Sequence, residues 1–200
     1  MIAPMHPAFA LLEPGNYAAF SALAHGASRK AGWYSNTDGT PKERNRGEMI
    51  ALMHSELSEA WEGFLTDEPD HHLPDRRNVE LALADYLERH GDFAGYCRIG
   101  DDIDNVTRAL ADHGEWKLRS SGALFNDLHV LTSKSLEALR KNNIEALVMT
   151  MGGSLRLALA LAKATRCTDL GGAITEKMDF NAIRADHKLE VRGKADGKTF

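Results

Sequence analysis

The chain is poor in cysteine, carries no excess of positive charge and has no long hydrophobic run. Only two cysteines, Cys97 and Cys167, stand among its 200 residues. Their spacing matches neither a zinc site nor a redox motif, so two free thiols in a reducing cytoplasm are expected. Lys and Arg number 24 against 29 Asp and Glu, a net charge of −5. A surface built for duplex nucleic acid is therefore not expected, although a small anion could bind through local cations or a metal. No apolar run reaches the roughly 18 residues of a membrane span. The best candidate, Leu155 to Ala162, is short and contains Arg156. The apolar N-terminus has no basic segment and is broken by Pro4, Pro7 and Pro14, which makes it a poor secretion signal. No stretch alternates in the manner of a strand, and no internal repeat is visible.

What is present is helical periodicity. Hydrophobic residues make up 43%, enough for a core, and the length suits a single domain over residues 1–200. An irregular lead-in precedes a helix from Tyr17 to about Lys30, capped by Asn16, with Phe20, Leu23 and Ala24 inward. Gly32-Trp33-Tyr34 and a polar loop follow. The stretch Asn45–Phe64 reads as the helix around which the chain is organised. A proline-bearing connection, Thr66–Arg77, leads to a helix from Asn78 to about Phe93. A short helix through Ile103, Val106 and Leu110, capped by Asp101 or Asp104, comes next, then a polar break from His113 to Ser121. Helices are expected at Ala123–Lys141, interrupted near Thr132, and at Ile144–Cys167, kinked or divided at Gly152-Gly153. A last helix runs from Ala173 to about Asp186, before a polar tail. The fold class expected is an all-α bundle.

The helix over 45–64 has one anomaly. Met49, Ile50, Met53, Leu57, Ala60, Trp61 and Phe64 share a broad apolar arc. Glu56 projects inside that sector, and Glu59 lies beside it at i+3. A buried carboxylate needs a cation, a proton or a metal. Hard oxygen ligands select Mg²⁺ or Mn²⁺. Zinc lacks a His/Cys set here, and a di-iron site would need Glu-x-x-His on two helices, which no expected helix carries. The chain has no P-loop, no glycine-rich dinucleotide motif and no nucleophile elbow.

Three segments then suggest a family. HSELSEAWEGF, LADYLERHGDFAG and EKMDFNAIRADH together resemble the MazG-like branch of the all-α nucleoside triphosphate pyrophosphohydrolases. Dimeric dUTPases, dCTP pyrophosphatases and phosphoribosyl-ATP pyrophosphohydrolases belong to the same superfamily. The resemblance covers about 32–95 and 172–200, and implies metal-binding helices in 16–95 and a nucleotide-contacting helix and tail in 172–200. The helices of 96–171 are extra. Glu56 and Glu59 match the family's first E-x-x-E, and Asp85 matches the Asp of the E-x-x-D on the next helix. Asp92 fits a recurrent acidic position. Lys177, Asn181 and Arg184 match E-K-M-x-x-N-x-x-R, and Gly32-Trp33-Tyr34 resembles a glycine-aromatic segment. Ala82 departs from the pattern, which has Glu there. Glu88, sharing a face with Asp85, is one substitute; Glu80 is another, poorly placed; three carboxylates alone are the third.

The resemblance implies Mg²⁺-dependent hydrolysis of a nucleoside triphosphate, NTP or dNTP, to monophosphate and pyrophosphate, in a homodimer. Glu56, Glu59, Asp85 and Glu88 are the candidate ligands for Mg²⁺ or Mn²⁺. Glu59 and Glu56 are the candidate catalytic carboxylates. Trp33, Lys177, Asn181 and Arg184 are the candidate nucleotide contacts. Lys42, Arg44 and Arg46 could close over phosphates, with surface charge as the default. His54, His71 and His72 read as surface histidines. Two rival classes remain. One is a nucleotide-binding regulatory protein that has lost catalysis through Ala82. The other is a helical interaction module whose Glu56 and Glu59 meet a basic partner.

Overall fold

The computed structural model describes residues 7–36, 38–110, 119–184 and 191. Among these the chain is all-α, with no strand beyond two isolated bridges, Ser35–Pro41 and Pro69–Arg77. The helices are α1 Pro7–Ala10, α2 Tyr17–Lys30, α3 Arg46–Thr66, α4 Asn78–Cys97, α5 Gly100–Ala109, α6 Ser121–Arg140, α7 Ile144–Ala164 and α8 Leu170–Ile183. Most of the expected polar break, the expected end of the last helix at Asp186 and most of the tail lie outside the described residues.

Local chemistry explains several boundaries. The Asn45 side chain accepts from the Gly47 and Glu48 amides at 2.9 and 3.3 Å, capping α3. Asp67 closes it in the left-handed region at φ 53°. Ser120, Asn143 and Asp169 cap α6, α7 and α8 in the same way. Neither Asp101 nor Asp104 caps α5, which begins at Gly100. Asp104 instead accepts from the Gly15 amide at 2.7 Å.

The hub is α4, not α3 as the sequence suggested. It packs against α2, α3, α5, α7 and α8 and buries Leu81, Ala84, Gly91 and Ala94 as well as the expected arc. Small residues make this possible. A Cβ on Gly91 would lie 2.8 Å from the Phe20 ring, and one on Gly95 would lie 2.6 Å from the His25 Cβ and 2.7 Å from the Ser21 carbonyl oxygen. The backbones of α2 and α4 therefore touch, with Ser21 buried and Leu23 turned outward. Gly95→Ala is expected to cost about 1–3 kcal/mol by overpacking. At about 2–4 °C per kcal/mol in a chain of this size, a melting curve will resolve it.

Gly152 and Gly153 follow the same logic. They do not divide α7, which runs unbroken from Ile144 to Ala164; a side chain at Gly152 would run into Val106 of α5. α6 likewise continues through Thr132, whose hydroxyl donates back to the Leu128 carbonyl at 2.8 Å. By length and composition α7 could cross a membrane, but over half of its apolar window is buried in this bundle.

A buried polar chain ties α2, α4 and α7 together behind the cleft described below. The Tyr17 hydroxyl meets His90 Nδ1 at 2.5 Å, and His90 Nε2 meets the Met151 carbonyl at 3.0 Å. A carbonyl only accepts, so Nε2 carries the proton and Nδ1 accepts from Tyr17. Burial pushes the His90 pKa down to about 4, with the Met151 carbonyl acting the other way.

Candidate functional site

α3 carries Glu56 into the interior, where its residue is only 6% exposed. Arg89 of α4 meets it there, donating to Glu56 Oε1 from Nε at 2.7 Å and Nη2 at 2.6 Å. Burial raises the Glu56 pKa; Arg89 opposes the rise, while Asp85 and Glu59 add to it. Glu59, one turn on, is exposed. Of the pair, only Glu56 is buried. Glu59 stands at the solvent edge, close enough that Glu56 and Lys177 feel its charge.

α4 adds Asp85 and Glu88 at i, i+3, and α8 lies across both. Lys177 Nζ is 3.0 Å from Asp85 Oδ2. Asn181 Nδ2 donates to Asp85 Oδ1 at 3.2 Å and to Glu88 Oε2 at 3.1 Å. Lys177 is 4% exposed. Burial works against its charge, and Asp85 more than offsets this, raising its pKa. The Glu88 carboxyl is pushed up to about 7, by burial first and then by Asp85, with Asn181 opposing.

That shift has a stability consequence. A carboxyl raised from 4.5 to about 7 keeps in the fold a proton that the unfolded chain has lost. Its contribution to stability therefore falls as pH rises from about 4.5 through 7. Glu88→Gln removes the penalty. In EDTA the variant is expected to melt above wild type at pH 8, with the gap closing as pH is lowered towards 4.5. Parallel melts across pH measure this directly.

Ala82, where the family pattern has Glu, is buried at 2% exposure. Glu80 is turned elsewhere and pairs with Arg77 at 2.8 Å. Of the two substitutes weighed from sequence, Glu88 is the one beside Asp85. Glu176, just before Lys177, is held by Arg76 through bonds of 2.6 and 2.9 Å, which fasten α8 to the loop between α3 and α4.

A cleft opens beside this cluster. Asp85, Glu88, Arg89 and Asp92 form its polar side, and Ala27, Trp33, Met49, Leu52 and Met178 much of its apolar side. Gly32, at φ 83°, makes the turn that delivers Trp33 and Tyr34. The two aromatics part company there. Trp33 lines the cleft, whereas Tyr34 donates its hydroxyl to Asp92 Oδ1 at 2.7 Å. His25 Nδ1 reaches the same oxygen at 2.9 Å. Burial and the Asp92 charge raise the Tyr34 pKa.

Not every expected residue joins the cluster. Arg184 lies outside the cleft lining, with its guanidinium 5.4 Å from the Phe180 ring centre. Arg44, assigned to the surface by default, is 8% exposed and lines the cleft. His54 is half-buried rather than fully exposed; its Nδ1 lies 3.1 Å from Nδ1 of His129 on α6. His71 and His72 are exposed. Arg89 and His25 escaped the sequence reading. The one available signal for Arg89 was its place four residues after Asp85 on a face otherwise apolar or acidic.

Among the described residues, no three His, Cys, Asp or Glu side chains already converge as a formed metal site. Glu56 and Asp85 are each turned to a cationic side chain instead. No protein-family model, no curated protein and no solved structure matches this chain.

Proposed function

We propose that the chain is a metal-dependent nucleoside triphosphate pyrophosphohydrolase of the MazG-like all-α type. One observation carries the reading. Residues about a hundred positions apart, singled out by the resemblance, meet at hydrogen-bond distance: Lys177 on Asp85, and Asn181 on Asp85 and Glu88. Beside them lies a cleft with an apolar wall and Trp33.

The donor set suits a hard divalent cation. It consists of carboxylates without His or Cys, and Glu88 holds its charge at a cost that a cation would relieve. Glu56, Asp85 and Glu88, with Glu59 at the rim, are the residues that would hold Mg²⁺ or Mn²⁺. Such an ion would offset charge on the phosphates and lower the pKa of a water. Arg89 keeps Glu56 oriented. Lys177 and Asn181, now on Asp85 and Glu88, can exchange those bonds for phosphate oxygens. Glu59, exposed and without a partner among the described residues, is the carboxylate available to orient the attacking water and accept its proton. Water adds at the phosphorus nearest the sugar, and pyrophosphate leaves with the bond electrons. Positioning and electrostatics are the main catalytic effects in such a displacement. A second copy of the chain would complete the site, as in the family it resembles.

The test is pyrophosphate release from a panel of NTPs and dNTPs, with Mg²⁺ and with EDTA. Metal-dependent release from at least one of them is the expected result. Release from none, together with no nucleotide-dependent thermal shift, would leave the interaction module. The buried Ala82 favours one further reading, a regulatory nucleotide binder. It predicts a thermal shift without release.

A further inference from the structure

We propose that Arg44 is an anion-binding residue of the cleft and takes the phosphate chain of the ligand. This rests on the hydrolase reading for the identity of the ligand, but the observation behind it is separate. Arg44 is 8% exposed and lines the cleft. Among the described residues its guanidinium makes no ion pair and no hydrogen bond, unlike the other cations of the site. Arg89 is held by Glu56, and Lys177 by Asp85. A guanidinium without a protein acceptor has no polar bond to fix its place, and its donors stay free for a ligand. Its position is nonetheless well supported. The Tyr96 hydroxyl accepts from the Arg44 amide at 3.2 Å and lies 3.3 Å from its carbonyl. The guanidinium carbon stands 5.6 Å from the Trp33 ring centre and 5.9 Å from that of Tyr34.

The chemistry follows from that packing. Aromatic rings attract a guanidinium electrostatically but accept none of its in-plane hydrogen bonds. Its donors stay available in a fork that matches two oxygens of a phosphate. Phosphate is a better match than an uncharged group because the residue brings a positive charge that, among the described residues, no carboxylate holds in an ion pair. Asp85, Glu88 and Asp92 line the same cleft, so binding is expected to be stronger with Mg²⁺ than in EDTA.

The experiment is titration calorimetry of the full chain with inorganic pyrophosphate, in Mg²⁺ and in EDTA, for wild type, Arg44→Gln and Arg44→Lys. Loss of a charge-assisted contact predicts a drop in affinity of about ten- to a hundred-fold for Arg44→Gln. Arg44→Lys, which keeps the charge but loses the fork, should fall between. KM for a hydrolysed triphosphate should rise with the loss of affinity, and kcat should change less. Wild-type affinity in Arg44→Gln, or no pyrophosphate binding by wild type in either buffer, overturns the proposal. If Arg44→Gln does not fold, Arg44→Lys decides alone, and unchanged affinity overturns it. Pyrophosphate binding that depends on Arg44, without hydrolysis of any triphosphate, keeps the anion site and rejects the hydrolase. Hydrolysis with an unaltered KM in the variants does the reverse.

Discussion

Glu56→Gln is expected to lose Mg²⁺-dependent turnover while the helical bundle stays folded. The side chain is the buried carboxylate of α3, and burial, with Asp85 and Glu59, raises its pKa against the opposing pull of Arg89. A glutamine keeps the shape and can still accept from Arg89, but brings no charge to a cation. Turnover below about a tenth of wild type is the expected kinetic result. Stability should move the other way. Since the Glu56 pKa is raised despite Arg89, the neutral form suits the fold better than the charged one. Without metal, the variant should melt at or above the wild-type temperature near neutral pH, and the advantage should shrink as the pH falls towards the ordinary carboxyl value. Circular dichroism and a melt in EDTA check the fold. Activity retained in a well-folded variant would remove Glu56 from the site.

Arg89→Met should do the opposite to stability, and by more. The guanidinium faces Glu56 at 2.6 Å and also feels Asp85 and Glu88. Burial disfavours its charge, yet these carboxylates outweigh burial and raise its pKa. Removing one partner of a buried pair costs about 3–5 kcal/mol. The Arg89 side chain is 31% exposed, so a loss of about 2–3 kcal/mol is the better expectation once solvent screening is allowed for. In EDTA this should appear as a melting temperature lowered by several degrees. Mg²⁺ should restore part of it if the uncovered carboxylates can share a cation. A double variant with Glu56→Gln should recover much of the loss, because the two side chains are in contact and their effects are not additive. Additive losses would show that Arg89 supports the fold through something other than this pair.

The sequence by itself determined the helical class and, to within about a turn, where most helices lie. Apolar spacing and short-range caps such as Asn45 are local, and local signals survive without knowledge of neighbours. It also singled out Glu56, because a charge inside an apolar arc is anomalous on any helix. What it could not supply was the other side of each contact. Glycines at 91, 95 and 152 were read as breaks or passed over, because their purpose is the approach of α2 and α5. Lys177 was a candidate nucleotide contact by sequence, but its partner Asp85 came into view only when α8 was laid against α4, and Arg44 looked like loop charge until it was set against Trp33, Tyr34 and Tyr96. The burial of a polar side chain, its partner and its pKa depend on which helix covers it. Spacing along one helix gives the direction of a side chain, and only tertiary packing decides what it meets there.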